Sequence, residues 1–175
     1  MVEKMKLEEF LKGHDHFWLM HLTYNGDEGP RLWEYARVNG LIGLDLNAVN
    51  QDWNDFTDDE KKEFYWSTSS LWYAQFQAFC NKMKKDDIVV VMEGQKSILG
   101  IGTLKEDLHN FNLNLKTDHI FFDHFRGISW NITWDYDTEK RPFLNELLRF
   151  SNTLQRAPKG GVYWKVMAKV ELKVN

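Results

Sequence analysis

The stretch that most constrains this chain runs from Lys84 to Leu104. Ile88 to Met92 is an unbroken run of β-branched and apolar residues, short enough to be a core strand rather than a helix. Gly94-Gln95-Lys96-Ser97 offers a hairpin connection, because glycine tolerates the positive φ such turns need. Ile98 to Leu104 is the return strand. Its Gly100 and Gly102 leave one face bare, so a bulky group can lie against the backbone there. A hairpin this apolar has to sit centrally, covered by neighbouring elements.

The rest of the chain supplies those elements. Leu7 to Leu11 reads as a short amphipathic helix ended by Gly13, and Phe17 to Tyr24 as a strand. Arg31 to Val38 reads as a helix closed by Asn39-Gly40, followed by an extended piece, Leu41 to Leu44. A polar, acidic loop from Asn47 to Asp59 carries Trp53 and Phe56, and Thr57 and Glu60 have the spacing of a capping box. Trp66-Ser67-Thr68-Ser69-Ser70 breaks that helix and caps the next, on which Trp72, Phe76, Phe79 and Met83 form a core stripe. Phe125 to Trp134 alternates as a strand, Pro142 opens a predicted helix through about Leu154, and Val162 to Val170 is the predicted last strand. About five or six short strands with about three to five helices, lacking regular alternation, make an α+β domain with a curled mixed sheet.

The 175 residues fit a single domain. Aromatic residues make up 15% of the chain, with eight Trp and twelve Phe, a surplus over what the core needs. Some are therefore expected on a recognition surface that grips a flat ligand. The single cysteine, Cys80, excludes a disulfide framework and a Cys-based zinc site. With no signal peptide or membrane-length apolar run, the chain is expected in the cytoplasm, with no membrane partner. The net charge of −4 argues against indiscriminate nucleic-acid binding, yet Lys140 to Asn175 holds eight Lys and Arg against two Glu. That basic end on an acidic body offers a place for phosphates.

No catalytic constellation stands out. Gly94-Gln95-Lys96-Ser97 lacks the glycine before the lysine that a phosphate-binding loop requires. His14 with His16, or His119 with His124, lacks further ligands in sequence, so neither a metal site nor a cofactor is expected. Surplus aromatics around a glycine-faced hairpin suit a binding module for a planar ligand, such as a nucleobase taken out of its stack. A protein-interaction domain without nucleic-acid binding is the alternative of another class.

Trp66-Ser67-Thr68, an amphipathic helix, and then Asp87 to Leu104 together resemble the heart of YTH domains. Related EVE domains share the order, Phe17-Trp18-Leu19-Met20 fits their first strand, and His124-Phe125-Arg126-Gly127-Ile128-Ser129-Trp130 is similar to their "H-x-R-x-V-x-W" strand. The segment Arg31 to Asp45 resembles one branch, the N-terminal specificity domain of archaeal McrB-type GTPases in modification-dependent restriction systems. The resemblance covers about Phe17 to Trp134. His21 and Leu44 depart from it, standing where relatives tend to have Lys and Trp.

The resemblance implies a PUA-like fold that flips a methylated base of double-stranded DNA into an aromatic cage, 6-methyladenine ahead of methylcytosine. Trp66 matches the cage Trp, and the backbone at Ser67 would meet the base's exocyclic amine. Phe111 and Phe121 are candidates for the second wall, with Trp53 and Asp45 as further base-site candidates. Lys96, Arg126, Arg141 and Arg149 are the expected phosphate contacts. A methylated-RNA reader is the alternative within the class. The chain carries no GTPase motif, so it would be a binding module and not an enzyme. It would serve as the N-terminal reading head of a longer, GTP-dependent oligomeric protein with a nuclease partner.

Overall fold

The computed structural model of the chain describes residues 3–22, 29–44, 51–67, 70–115, 120, 122–137, 141–144, 146, 148 and 153–174. The side chains of residues 3, 4, 29, 65–67, 70, 173 and 174 fall outside that description.

The hairpin forms where its residues place it. Strand β4 (Ile88–Glu93) turns through Gly94, at φ +56°, into antiparallel β5 (Ser97–Leu104). On the other side of β4, β2 (His16–His21) runs parallel, and β8 (Leu154–Pro158) pairs antiparallel with β2. Beyond β5 lies the long β7 (His124–Thr133). The C-terminal half of β7 pairs with β5, while its first residues pair with β3 (Leu41–Leu44) and the two-residue β6 (Asn110–Phe111). Register slips at Val91/Met92 and Ile101/Gly102 bend these strands and increase their twist. The order β3-β7-β5-β4-β2-β8 is therefore a strongly curled mixed sheet, a half-barrel flanked by a few helices.

Both faces of the central strands are covered, which is why β4 reads as continuously apolar. Side chains two apart share a face. Trp18, Met20, Val89, Val91 and Leu99 pack with Trp33 and Ala36 of α2 (Gly29–Asn39) and with Phe76 of α4 (Ser70–Gln77). Phe17, Leu19, Val90, Met92 and Ile98 pack on the opposite face with Leu7 and Leu11 of α1 (Leu7–Leu11) and Met167 of α5 (Val162–Met167). Helix α3 (Asp58–Ser67) leads into α4, and β1 (Glu3–Lys6) forms a separate antiparallel pair with β9 (Glu171–Val174).

The bulky groups against the glycine face of β5 are the protein's own. A Cβ on Gly100 would lie 2.6 Å from Trp33 Cη2, and one on Gly102 would lie 2.7 Å from Ile128. Trp33 is locked there by its indole N–H, which donates to Trp134 O at 2.9 Å. Gly43 is tighter still, because a Cβ would sit 2.2 Å from the Phe122 ring. Gly43→Ala is expected to lower stability by about 1–3 kcal/mol through overpacking. Thermal melting checks this, and an unchanged midpoint would show that the β3–Phe122 contact can yield.

Two predicted elements change type. Pro142 opens no helix among the described residues: Phe143 bridges Ser97, and the N–H groups of Leu144 and Leu148 donate to Lys96 O and Gln95 O at 2.8 and 3.0 Å. The segment thus satisfies its amides on the hairpin turn instead of on itself. Val162 to Met167 is a helix, because Gly160 at φ +74° reverses the chain and Lys165 N–H reaches Gly161 O at 3.0 Å. The strand that lines the sheet is β8, just before it. The predicted helix through Met83 is also divided, α4 ending at Gln77 in a π-helical turn, Ala78–Lys82. Phe76, Phe79 and Met83 remain fully buried. Among the described residues no helix is long and apolar enough to cross a membrane.

Candidate functional site

At the end of the sheet where β3, β6 and β7 meet, a short loop presses an indole into the protein. Asp52 accepts a hydrogen bond from Asn54 N–H at 2.9 Å and so caps the 3-10 turn Trp53–Asp55. Directly after it the Thr57/Glu60 capping box closes as its spacing predicts. Thr57 N–H donates to Glu60 Oε2 at 2.7 Å, and Glu60 N–H to Thr57 Oγ1 at 3.3 Å. These caps fix both ends of the loop, and Trp53 between them is 0% exposed. Its ring lies 5.5–5.6 Å from those of Phe56, Phe64, Tyr73 and Phe76, with the Lys61 ammonium 5.7 Å from its centroid.

The main chain of the same loop rests on a buried histidine. His124, the first residue of β7, approaches Asp123 Oδ1 with Nδ1 at 2.6 Å, and its Nε2 accepts the Trp53 backbone N–H at 3.1 Å. An acceptor at Nε2 sets the tautomer, with the proton on Nδ1 donated to Asp123. His109 stacks on His124, ring centroids 5.4 Å apart at 25°, and its Nε2 meets Asp52 Oδ1 at 2.9 Å. Burial pushes the His109 pKa below its ordinary value, with Asp52 opposing, so the ring is neutral at pH 7. Its Nδ1 is buried and has no hydrogen-bond partner among the described residues. Phe111 tilts onto the His124 ring at 4.9 Å and Phe76 meets it edge-on at 5.5 Å.

Arg126, two residues along β7, faces the same way and is 0% exposed. Its Nε donates to Phe79 O at 2.7 Å and its Nη2 to Cys80 O at 3.3 Å, while Nη1 and Nη2 reach Glu106 O and Asp107 O at 3.1 and 3.2 Å. The first two carbonyls belong to the π-helical turn after α4, where a cation suits the partial negative charge of a helix end. Desolvation lowers the pKa of Arg126, but a guanidinium keeps its charge in proteins. Arg126 therefore clamps the helix end, the β5–β6 loop and β7 together.

The structure brings together two of the sequence-predicted base-site residues. Trp53 and Phe111 both touch the His124 assembly, but only Phe111 keeps exposed surface. Trp53 is corrected from a cage wall to an enclosed core residue, since protein rings surround it. The backbone of Trp66 and Ser67 ends α3, two and three residues beyond Phe64, which packs on Trp53. Their side chains lie outside the described residues, as do Asp45, Phe121 and Arg149. Arg126 is corrected from a phosphate contact to a buried clamp. Arg141 is committed as well, paired with Glu93 and packed over Tyr136 and Phe143. Lys96 stands exposed in the hairpin turn.

Sequence reading missed Asp52, His109 and Asp123. Asp52 and His109 are 57 positions apart, and only loop docking brings them together. Asp52, His109 and His124 each offer a ligand atom within 4.8 Å of the others, so His124 gains the companions its sequence neighbourhood lacks.

The fold and site define an α+β half-barrel domain with an aromatic-rich end built over a buried histidine pair. The chain belongs to the DUF8426 family, a domain of unknown function, whose model matches residues 18–154. Among curated proteins no match is found.

Proposed function

We propose that this domain reads DNA carrying a methylated base, 6-methyladenine ahead of methylcytosine, by accepting the flipped base beside Trp66. The observation that carries the reading is a convergence of segments. The end of α3 that bears Trp66, the Trp53 loop and Phe111 of β6 are linked through the contacts of Phe64, Phe76 and His124. With Trp53 enclosed, Trp66 is the assigned wall, and Phe111, the half-exposed ring against His124, is the candidate for the second. The caps, the histidine pair and the Arg126 clamp hold the scaffold rigid, as a cage needs. The resemblance to YTH and EVE domains supports the same end of the fold. In this reading the chain is a cytoplasmic specificity module of a modification-dependent restriction system, with GTP hydrolysis and cleavage carried by other parts and partners.

The test is binding, at a stated salt concentration, to duplexes that differ in one methyl group. Tighter binding of the methylated duplex is expected. Equal affinities would refute the reading, and preference for methylated single-stranded RNA would reassign it. Stacking on an aromatic ring contributes about 1–3 kcal/mol per base, so Trp66→Ala should weaken methylated-duplex binding about ten- to a hundredfold with little change in melting temperature. Early melting with unchanged affinity of the folded protein would remove Trp66 from the cage.

A further inference from the structure

We propose that Asp52, His109 and His124 form a binding site for one divalent cation of the zinc class. The site is independent of the nucleic-acid reading. Two imidazoles and one carboxylate are a borderline nitrogen and oxygen set of the kind zinc takes, with water completing the tetrahedron. The three ligand atoms lie within 4.8 Å of one another, and the Asp52–His109 pair is already at 2.9 Å. Zinc bonds of about 2.0–2.1 Å bring such atoms to about 3.3 Å from each other, a closure within the reach of side-chain movement.

The surroundings prepare the ligands. Metal binding needs imidazole with an open lone pair, and both rings are buried with a carboxylate at hydrogen-bond distance, Asp52 for His109 and Asp123 for His124. Asp123, itself 0% exposed, accepts the hydrogen bond of His124 Nδ1–H and so leaves Nε2 as the lone-pair atom. A carboxylate behind a ligating histidine is the usual support of such sites. Both histidine side chains are 0% exposed while that of Asp52 is 27% exposed, so the cation enters past the carboxylate. His109 binds through Nε2 once its ring proton has moved to Nδ1, the atom now without a partner.

One bond stands in the way, and it gives the site a consequence. The Trp53 backbone N–H occupies the Nε2 lone pair of His124, and a cation displaces it. Zinc uptake therefore competes with the seating of the Trp53 loop, and tryptophan emission should report it.

The experiment titrates chelator-treated full chain with zinc chloride, following heat, tryptophan emission and bound metal after dialysis. One equivalent bound with a change in emission is expected. His109→Gln should weaken binding more than about a hundredfold and Asp123→Asn about ten- to a hundredfold. His16→Ala, outside the cluster, should leave it unchanged. Asp52→Asn retains an oxygen for Asn54 N–H, so it folds and decides the matter even if His109→Gln does not. No uptake by the wild type, or uptake that Asp52→Asn leaves unaltered, would overturn the site and leave a hydrogen-bonded latch only.

Discussion

Arg126→Ala is expected to destabilise the domain by about 3–5 kcal/mol, a large share of the roughly 5–15 kcal/mol that holds a domain together. The change leaves four main-chain carbonyls, of Phe79, Cys80, Glu106 and Asp107, without their donors. Each unsatisfied buried group costs about 1–3 kcal/mol, and water entering the vacated space recovers part of the sum. Arg126→Lys should recover little, because one ammonium cannot span carbonyls that a planar fork reaches from both edges. Urea unfolding reads the effect. A loss below about 1 kcal/mol, the ordinary size for a surface change, would sink the clamp. The same variant answers the phosphate question: a buried clamp leaves the salt dependence of DNA binding by the folded fraction unaltered. A phosphate contact would flatten the slope by about one unit.

Arg126 also shows where sequence reading stops. The alternation from Phe125 onward correctly placed Arg126 on one face of a strand with Ile128 and Trp130, because strand periodicity is local. What that face met was not local: the π-helical turn after α4 and the loop after β5 arrive from 19 to 47 residues away. The hairpin, the α2–β3 segment and the Thr57/Glu60 box were legible for the same reason, since their hydrogen bonds close within a few residues. The segment after Pro142 misled because the spacing of Phe143, Leu147 and Phe150 in the sequence looks helical, whereas the Leu144 and Leu148 amides are satisfied by Lys96 and Gln95. Val162 to Met167 is rich in residues that favour strands, yet the glycine turn and its packing on the core override that weak preference. At the site, the surplus of aromatics was visible and its partition was not. Nothing in the local sequence of Trp53 says that Phe64, Tyr73 and Phe76 will close around it.

That enclosure makes Trp53→Ala the other large effect. Truncating a buried Trp loses its transfer free energy and leaves a cavity, together about 3–5 kcal/mol. Here the cavity would open among Phe56, Phe64, Tyr73 and Phe76, beside the amide that holds His124. Those rings come from the loop and from both helices before β4, so loosening should spread along α3 and α4. Trp53→Phe is the informative partner. The indole N–H is buried with no partner among the described residues, so replacing it removes a penalty of about 1–3 kcal/mol. That relief roughly offsets the smaller ring's lost contacts, and Trp53→Phe should melt close to wild type. Calorimetric melting of wild type, Trp53→Ala and Trp53→Phe decides the matter. A Trp53→Ala chain that melts normally yet loses its preference for methylated duplex would return Trp53 to the cage. A chain that melts early, with the preference kept in whatever remains folded, fixes it as the post on which α3 and its Trp66 are mounted.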